Sequence, residues 1–180
     1  DLSSGDVKRI SDGTGKTTCA FFRPGSDEIL YSSTHADPNS KRLQDEENAF
    51  RASGKERRYS WDYDTEMDIY AYSEKTGASK RLTTAKGYDA EASYSPDGRW
   101  IYFNSTRTGL IQRWRRKPDG SAQEQPPTDA FTDRFPHASP DGKWLSVASY
   151  AQGDGKPAAH SPHTPPPHRP TRHPARPPPA

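Results

Sequence analysis

Residues 95–100 read Ser95-Pro96-Asp97-Gly98-Arg99-Trp100, and 44 residues later the chain repeats itself as Ser139-Pro140-Asp141-Gly142-Lys143-Trp144. The chemistry of this stretch is that of a tight turn. Proline at the second position fixes φ, aspartate bonds its own backbone, and glycine accepts a positive φ. Strand-like residues follow each turn, Trp100-Ile101-Tyr102-Phe103 and Trp144-Leu145-Ser146-Val147. Short segments of small and aromatic residues precede them, Glu91-Ala92-Ser93-Tyr94 and Phe135-Pro136-His137-Ala138. Each copy therefore predicts a β-hairpin, with structural turn residues Pro96, Asp97 and Gly98 in one and Pro140, Asp141 and Gly142 in the other.

The repeat extends well beyond its turn. The 44-residue spacing sets Asp89 on Asp133, Gly109 on Gly153, Tyr70 on Trp114, Gly77 on Ser121 and Thr84 on Thr128. A spacing of 72 residues finds a third copy upstream, with Pro24 under Pro96, Ile29 under Ile101, Tyr31 under Phe103 and Ile10 under Leu82. Pro24 and Gly25 are its turn. The 28-residue difference between the two spacings is an insertion inside the first full unit, at about residues 34–67. Hairpin-bearing repeats of about 40–45 residues are the mark of propeller blades.

A small or aromatic strand, Ser-Pro-Asp-Gly-Arg/Lys-Trp, an apolar strand and then a Leu-Thr pair such as Leu82-Thr83 together resemble the TolB-type β-propeller repeat. The stretches Gly15-Lys16-Thr17-Thr18-Cys19-Ala20, Tyr59-Ser60-Trp61-Asp62-Tyr63-Asp64 and Gly87-Tyr88-Asp89-Ala90-Glu91-Ala92-Ser93 carry the same likeness. The resemblance covers about residues 6–153 and implies an all-β chain: a partial β-propeller of four-stranded antiparallel blades, about three of them and each incomplete. The same repeat occurs in the non-catalytic propellers of prolyl-oligopeptidase-like enzymes. Fold and function are separable, since propellers host many functions.

Composition agrees with a fragment. Hydrophobic residues make up 29% of the 180, and mean hydropathy is −1.16, so any core is thin. A closed propeller needs at least four blades. The chain opens at Asp1 without methionine, and the expectation is a piece of a longer propeller whose remaining blades are its first partners. Net charge is +2. Residues 154–180 hold four basic residues and one acid, which leaves residues 1–153 at −1 and argues against a nucleic-acid surface. The single cysteine, Cys19, has no internal partner and is expected as a small buried strand residue. No stretch is long and apolar enough to span a bilayer.

Residues 6–11 are expected to form the outer strand of a preceding blade. Strands follow at Thr18–Phe22, Glu28–Ser33, Asp68–Ser73 and Ser79–Thr84. Residues 41–58 hold six basic and four acidic side chains and predict a solvated loop with a partial helix, Leu43, Glu47 and Phe50 marking one side. Gly15-Lys16-Thr17 is not a phosphate loop: the motif needs a glycine where Ile10 stands, and its flanks read as strand. In the second unit Pro126-Pro127 replaces the Leu-Thr pair, so its outer strand should be short or frayed. Residues 154–180 hold ten prolines and four histidines and predict a disordered, polyproline-rich tail. It reads either as a genuine extension or as an out-of-frame translation that cuts the third blade short. His160, His163, His168 and His173 match no metal-site spacing, and neither metal nor cofactor is expected.

No nucleophile elbow or paired-carboxylate motif stands out. Asp97 and Asp141 belong to turns. Asp89 and Asp133 stand at starts of inner strands, where the structural role is closing an inter-blade turn. A candidate partner site combines the insertion's return, Trp61, Tyr63 and Asp64, with Asp89, Arg134 and His137 at the channel mouth. The rationale is that insertions cluster on binding faces and that large aromatics anchor interfaces. The competing role for Trp61 and Tyr63 is packing the insertion onto the blade edge. The resemblance implies a non-enzymatic module that binds a protein or peptide, in a periplasmic or extracellular setting. The alternative is the propeller domain of a prolyl-oligopeptidase-like serine peptidase.

Overall fold

A computed structural model describes residues 1–57, 63–126 and 132–150 and the pair His173–Pro174. Three antiparallel sheets follow one another along the chain. Blade 1 is the four-stranded sheet β1 (Thr17–Phe22), β2 (Glu28–Ser33), β3 (Asp68–Ser73) and β4 (Ala78–Arg81), in that spatial order. Blade 2 is β5 (Asp89–Tyr94), β6 (Ile101–Thr108) and β7 (Leu110–Arg116). Blade 3 is β8 (Thr132–Ala138) and β9 (Trp144–Tyr150), joined at the edge by β10 (His173–Pro174). Among the described residues no helix is long and apolar enough to cross a membrane.

The turns repeat atom for atom. The Ser95 amide donates to the Trp100 carbonyl at 2.9 Å, and the Gly98 amide to the Ser95 carbonyl at 2.8 Å. Ser139, Trp144 and Gly142 make the same two bonds at 2.8 Å each. In the upstream copy Arg23 donates to the Glu28 carbonyl and Ser26 to the Arg23 carbonyl. Asp97 and Asp141 each accept from a serine hydroxyl two residues back and an amide two residues on, which is local turn work. The Ser95 hydroxyl also accepts the Trp100 amide at 2.9 Å, and Ser95 is buried. Ser95→Ala leaves that amide without its partner and is expected to cost about 1 kcal/mol. A urea midpoint unchanged from wild type would count against this role for the hydroxyl.

A second repeating device is not visible in the sequence. Each inner strand carries a β-bulge at one register, between Thr18 and Phe21, Ala90 and Ser93, and Arg134 and His137. The residue inside it has a positive φ in all three: 50° at Cys19, 59° at Glu91 and 52° at Phe135. Non-glycine residues rarely adopt this conformation, and a bulge is where a strand re-aims a side chain. Cys19 is thus a half-buried bulge residue, not a plainly buried strand residue.

The blades pack face to face. Leu30, Ile69, Ala71 and Leu82 of blade 1 meet Ala92, Tyr94, Ile101 and Phe103 of blade 2 in one core cluster. Tyr102 of blade 2 meets Leu145 and Val147 of blade 3 in another. Strands that bury both faces carry apolar residues at consecutive positions, as Ile29-Leu30-Tyr31 does. Strand β5 lies between β1 and β8.

Three further expectations change. Residues 6–11 form no strand; Ile10 packs on Ile29, Tyr31, Tyr70 and Tyr72, and no described strand pairs with the segment. The insertion holds a full helix, α1 (Ser40–Ala52), where a loop with a partial helix was expected. Charge pairs one turn apart account for it: Lys41 with Asp45, Arg42 with Glu46 at 2.6 Å, and Glu47 with Arg51 at 2.8 Å. Leu43, Glu47 and Phe50 are its half-buried side, as the weak stripe indicated. The outer strand of blade 1 also ends earlier than Thr84, because Leu82 turns into the core and the Thr83 hydroxyl accepts the Ile69 amide.

Among the described residues the outer strand of blade 2 amounts to one bridge, Arg115 opposite Glu124, in keeping with the missing amide donor at Pro126. The tail lies outside the described residues apart from the backbone pair His173–Pro174. That pair runs antiparallel to β9, with His173 opposite Leu145 and Pro174 opposite Trp144. The 44-residue repeat places the corresponding third strand of this blade near residues 156–160, which lie outside the described residues. An open strand edge accepts any extended segment that reaches it.

Candidate functional site

The insertion returns to the body through residues 63–67, directly above the start of β5. The Asp89 amide donates to the Met67 carbonyl at 2.9 Å, and the Gly87 amide to the Thr65 carbonyl at 3.1 Å. Met67 packs with Tyr88 and Ala90. Asp64 accepts the Lys16 ammonium at 2.7 Å, which ties the return to the entry of β1. The Tyr63 ring meets Tyr88 edge-on, with centroids 5.7 Å apart and planes at 89°. Tyr63 is nonetheless 42% exposed.

Beneath Tyr63 lies a buried ion pair joining blades 2 and 3. Arg134 donates from Nε to Glu91 Oε1 at 2.7 Å and from Nη2 to the same oxygen. The other carboxylate oxygen accepts the Phe135 amide at 3.0 Å and the Asn104 side-chain amide. The Tyr88 hydroxyl donates to Oε1 at 3.3 Å. Arg134 also donates from Nη1 to the Tyr63 hydroxyl at 3.0 Å, with its guanidinium 5.2 Å from the Tyr63 ring centre. Burial pushes the Tyr88 hydroxyl above its ordinary range, and the Glu91 charge adds to this. Arg134 is held above its ordinary range: burial opposes the charge, but the Glu91 bonds prevail.

The six residues picked out from the sequence are distributed as follows. Tyr63 and Arg134 come together, with Asp64 next to Tyr63 and bonded to Lys16. Asp89 stands beside them but is 1% exposed and receives the Arg107 guanidinium at 2.6 Å. Burial raises its carboxyl while Ser105 and Arg107 pull it down. Asp133 is likewise buried and paired with Arg113, which joins blade 2 to blade 3, whereas the partners of the Asp89 side chain lie on β6 of its own blade. His137 lies beyond the bulge, toward the Ser139–Lys143 turn, with its ring 5.7 Å from Phe21. It is exposed but belongs to the other end of the inner strand. Trp61 lies outside the described residues.

Sequence reasoning passed over Glu91, Tyr88 and Lys16. The signal for Glu91 was a single acid in an otherwise uncharged, buried strand interior, with one arginine nearly one repeat later. Among the described residues no group of three histidine, cysteine or acidic side chains is arranged to hold a metal. The return of the insertion thus presents a half-exposed aromatic ring, Tyr63, above the buried Glu91–Arg134 pair.

Comparison with known proteins agrees with the repeat. A family model described as the TolB beta propeller domain matches residues 40–164. Over 97 residues the chain is 45% identical to an uncharacterized protein of Agrobacterium fabrum, covering 54% of this chain and 33% of that protein. A solved structure described as TolB of Agrobacterium tumefaciens superposes with a TM-score of 0.59 at 30% identity, covering 79% of this chain and 41% of the other. TolB of Acinetobacter baumannii gives a TM-score of 0.62 at 22% identity, over 86% of this chain and 32% of the other, a likeness of fold. The chain spans 33% of its curated relative and 41% and 32% of these two solved structures. With its blades, turns and bulges in one register and the family model over most of its length, the chain belongs to the TolB β-propeller family.

Proposed function

We propose that this chain is a non-enzymatic propeller module that holds a protein or peptide segment at the mouth formed by the insertion's return. The observation that carries the reading is Tyr63: a large aromatic left 42% exposed, yet fixed by Tyr88 at its edge and Arg134 at its hydroxyl. A ring that is rigid before binding loses little freedom on contact, and tyrosine is enriched among interface anchors. The periplasmic setting rests on the family alone. The competing reading, a propeller serving a serine peptidase domain, predicts hydrolysis of proline-containing peptides by the full-length protein.

The test places a photocrosslinking phenylalanine analogue at position 63 of the full-length protein in its own cells, with position 22 as control. Phe22 is 70% exposed and lies at the turn end of β1. The expected result is a discrete protein adduct from position 63 and not from 22. Tyr63→Ala is expected to weaken the captured partner's affinity at least about tenfold, in the range of an anchor residue. Identical adducts from both positions, or none from either, contradict the assignment.

A further inference from the structure

The hydrogen bond between Arg134 and Tyr63 has a fixed polarity. A guanidinium carries donors only, so Arg134 Nη1 donates and the Tyr63 hydroxyl oxygen accepts, at 3.0 Å. The phenol proton is left to donate elsewhere, and no group among the described residues accepts it.

The carboxylates beside Tyr63 are already engaged. In Glu91, Oε1 accepts Arg134 and the Tyr88 hydroxyl, and Oε2 accepts the Phe135 amide and the Asn104 side-chain amide. In Asp64, the next residue along the chain, Oδ2 accepts the Lys16 ammonium at 2.7 Å and Oδ1 the Glu66 amide at 3.1 Å. Acceptors around the ring are thus consumed, and one donor is left over.

The charges favour an anionic acceptor for that donor. Arg134 stays protonated, because its bonds to Glu91 outweigh the cost of burial. A hydroxyl that accepts from a cation is polarised, which makes its own proton a stronger donor. A hydroxyl bond to a carboxylate is shorter than one to a neutral oxygen and roughly twice as strong. Glu91 and Asp64 are each neutralised by a cation, Arg134 and Lys16, so neither repels a further carboxylate as a bare charge. Glu66 is exposed on the same return, where water and salt screen it.

We propose that the partner segment presents a carboxylate, from an aspartate or glutamate side chain, to the Tyr63 hydroxyl. The ring supplies contact area and the hydroxyl selects the partner. This rests on the reading of Tyr63 as the anchor of the mouth.

The test pans a phage-displayed library of random short peptides on the full-length protein and keeps those that Tyr63→Ala no longer binds. These are expected to share an aspartate or glutamate at one position. Changing that residue to its amide weakens binding to the wild type at least about tenfold, the value of a hydrogen bond to a charged group, and has little effect on binding to Tyr63→Phe. Because Tyr63→Phe also releases Arg134, a second variant carries O-methyltyrosine at position 63, which keeps the accepting oxygen and lacks only the proton. It is expected to behave as Tyr63→Phe does; added bulk alone would weaken the acid and amide peptides equally. Peptides that depend on Tyr63 but share no acid, or an amide change that costs as much in the two hydroxyl variants as in the wild type, overturn the proposal and leave the ring as an anchor. If no peptide is selected, or none is lost in Tyr63→Ala, the anchor reading falls and the proposal with it.

Discussion

Alanine at Glu91 is expected to destabilise the propeller by about 3–5 kcal/mol, the cost of removing one partner from a buried ion pair. The side chains of Glu91 and Arg134 are 2% and 4% exposed, so water does not replace the lost bonds. Without the carboxylate, Arg134 keeps its charge in a buried site, and the Phe135 amide and the Asn104 side-chain amide lose their acceptor. The positive φ at residue 91 does not confound the measurement, because alanine and glutamate are both strained there. Native domains are stable by about 5–15 kcal/mol, so the loss is a large fraction of the total. Urea unfolding of the full-length protein reads it as a lower midpoint at unchanged slope. A loss below about 1 kcal/mol would mean that the pair is solvated and does not join the blades.

Phe103→Ala is expected to cost a similar amount, about 3–5 kcal/mol, through a different mechanism. Phe103 is fully buried on β6 and packs in the cluster that holds blade 2 to blade 1. Its loss leaves a cavity walled by two separate sheets. The Arg107 guanidinium, 5.3 Å from the ring centre, loses one of its two aromatic contacts as well. Trp144 is the control: it is larger but 40% exposed on blade 3, and Trp144→Ala is expected to cost under about 1 kcal/mol. Equal midpoint shifts for the two variants would mean that the blade 1–2 seam is not the principal core.

Much of the fold was legible because each blade repeats its own turn chemistry. Proline, aspartate and glycine at Pro96, Asp97 and Gly98 determine a local hairpin whatever surrounds it, and consecutive apolar residues such as Ile29-Leu30-Tyr31 identify doubly buried strands. Helix α1 was harder to read, because its stability comes from charge pairs that look like a solvated loop in composition. The bulges at Cys19, Glu91 and Phe135 were illegible for a related reason: three unlike residues occupy one strained position, and none is a glycine. At the candidate site, Tyr63 and Asp64 were picked out because they stand at the return of the insertion, and Arg134 because it stands near the start of an inner strand. Glu91 was passed over because its partner is one blade away, a distance no local pattern reports. His137 is the sixth residue of β8 (Thr132–Ala138) and so stands at its turn end, away from the strand start where the sequence reading put it.

The account's central claim is that the bulged inner strands hand one blade to the next through Glu91 and Arg134, and that this pair is the rigid base on which Tyr63 sits. A double-mutant cycle on the full-length protein, with Glu91→Ala, Arg134→Met and the two combined, measures that coupling directly. Each single variant is expected to lose about 3–5 kcal/mol and the double variant far less than the sum, with a coupling of at least about 1.5 kcal/mol. Single-variant losses that simply add would contradict the claim, since they would show two independent side chains and not one joint between blades.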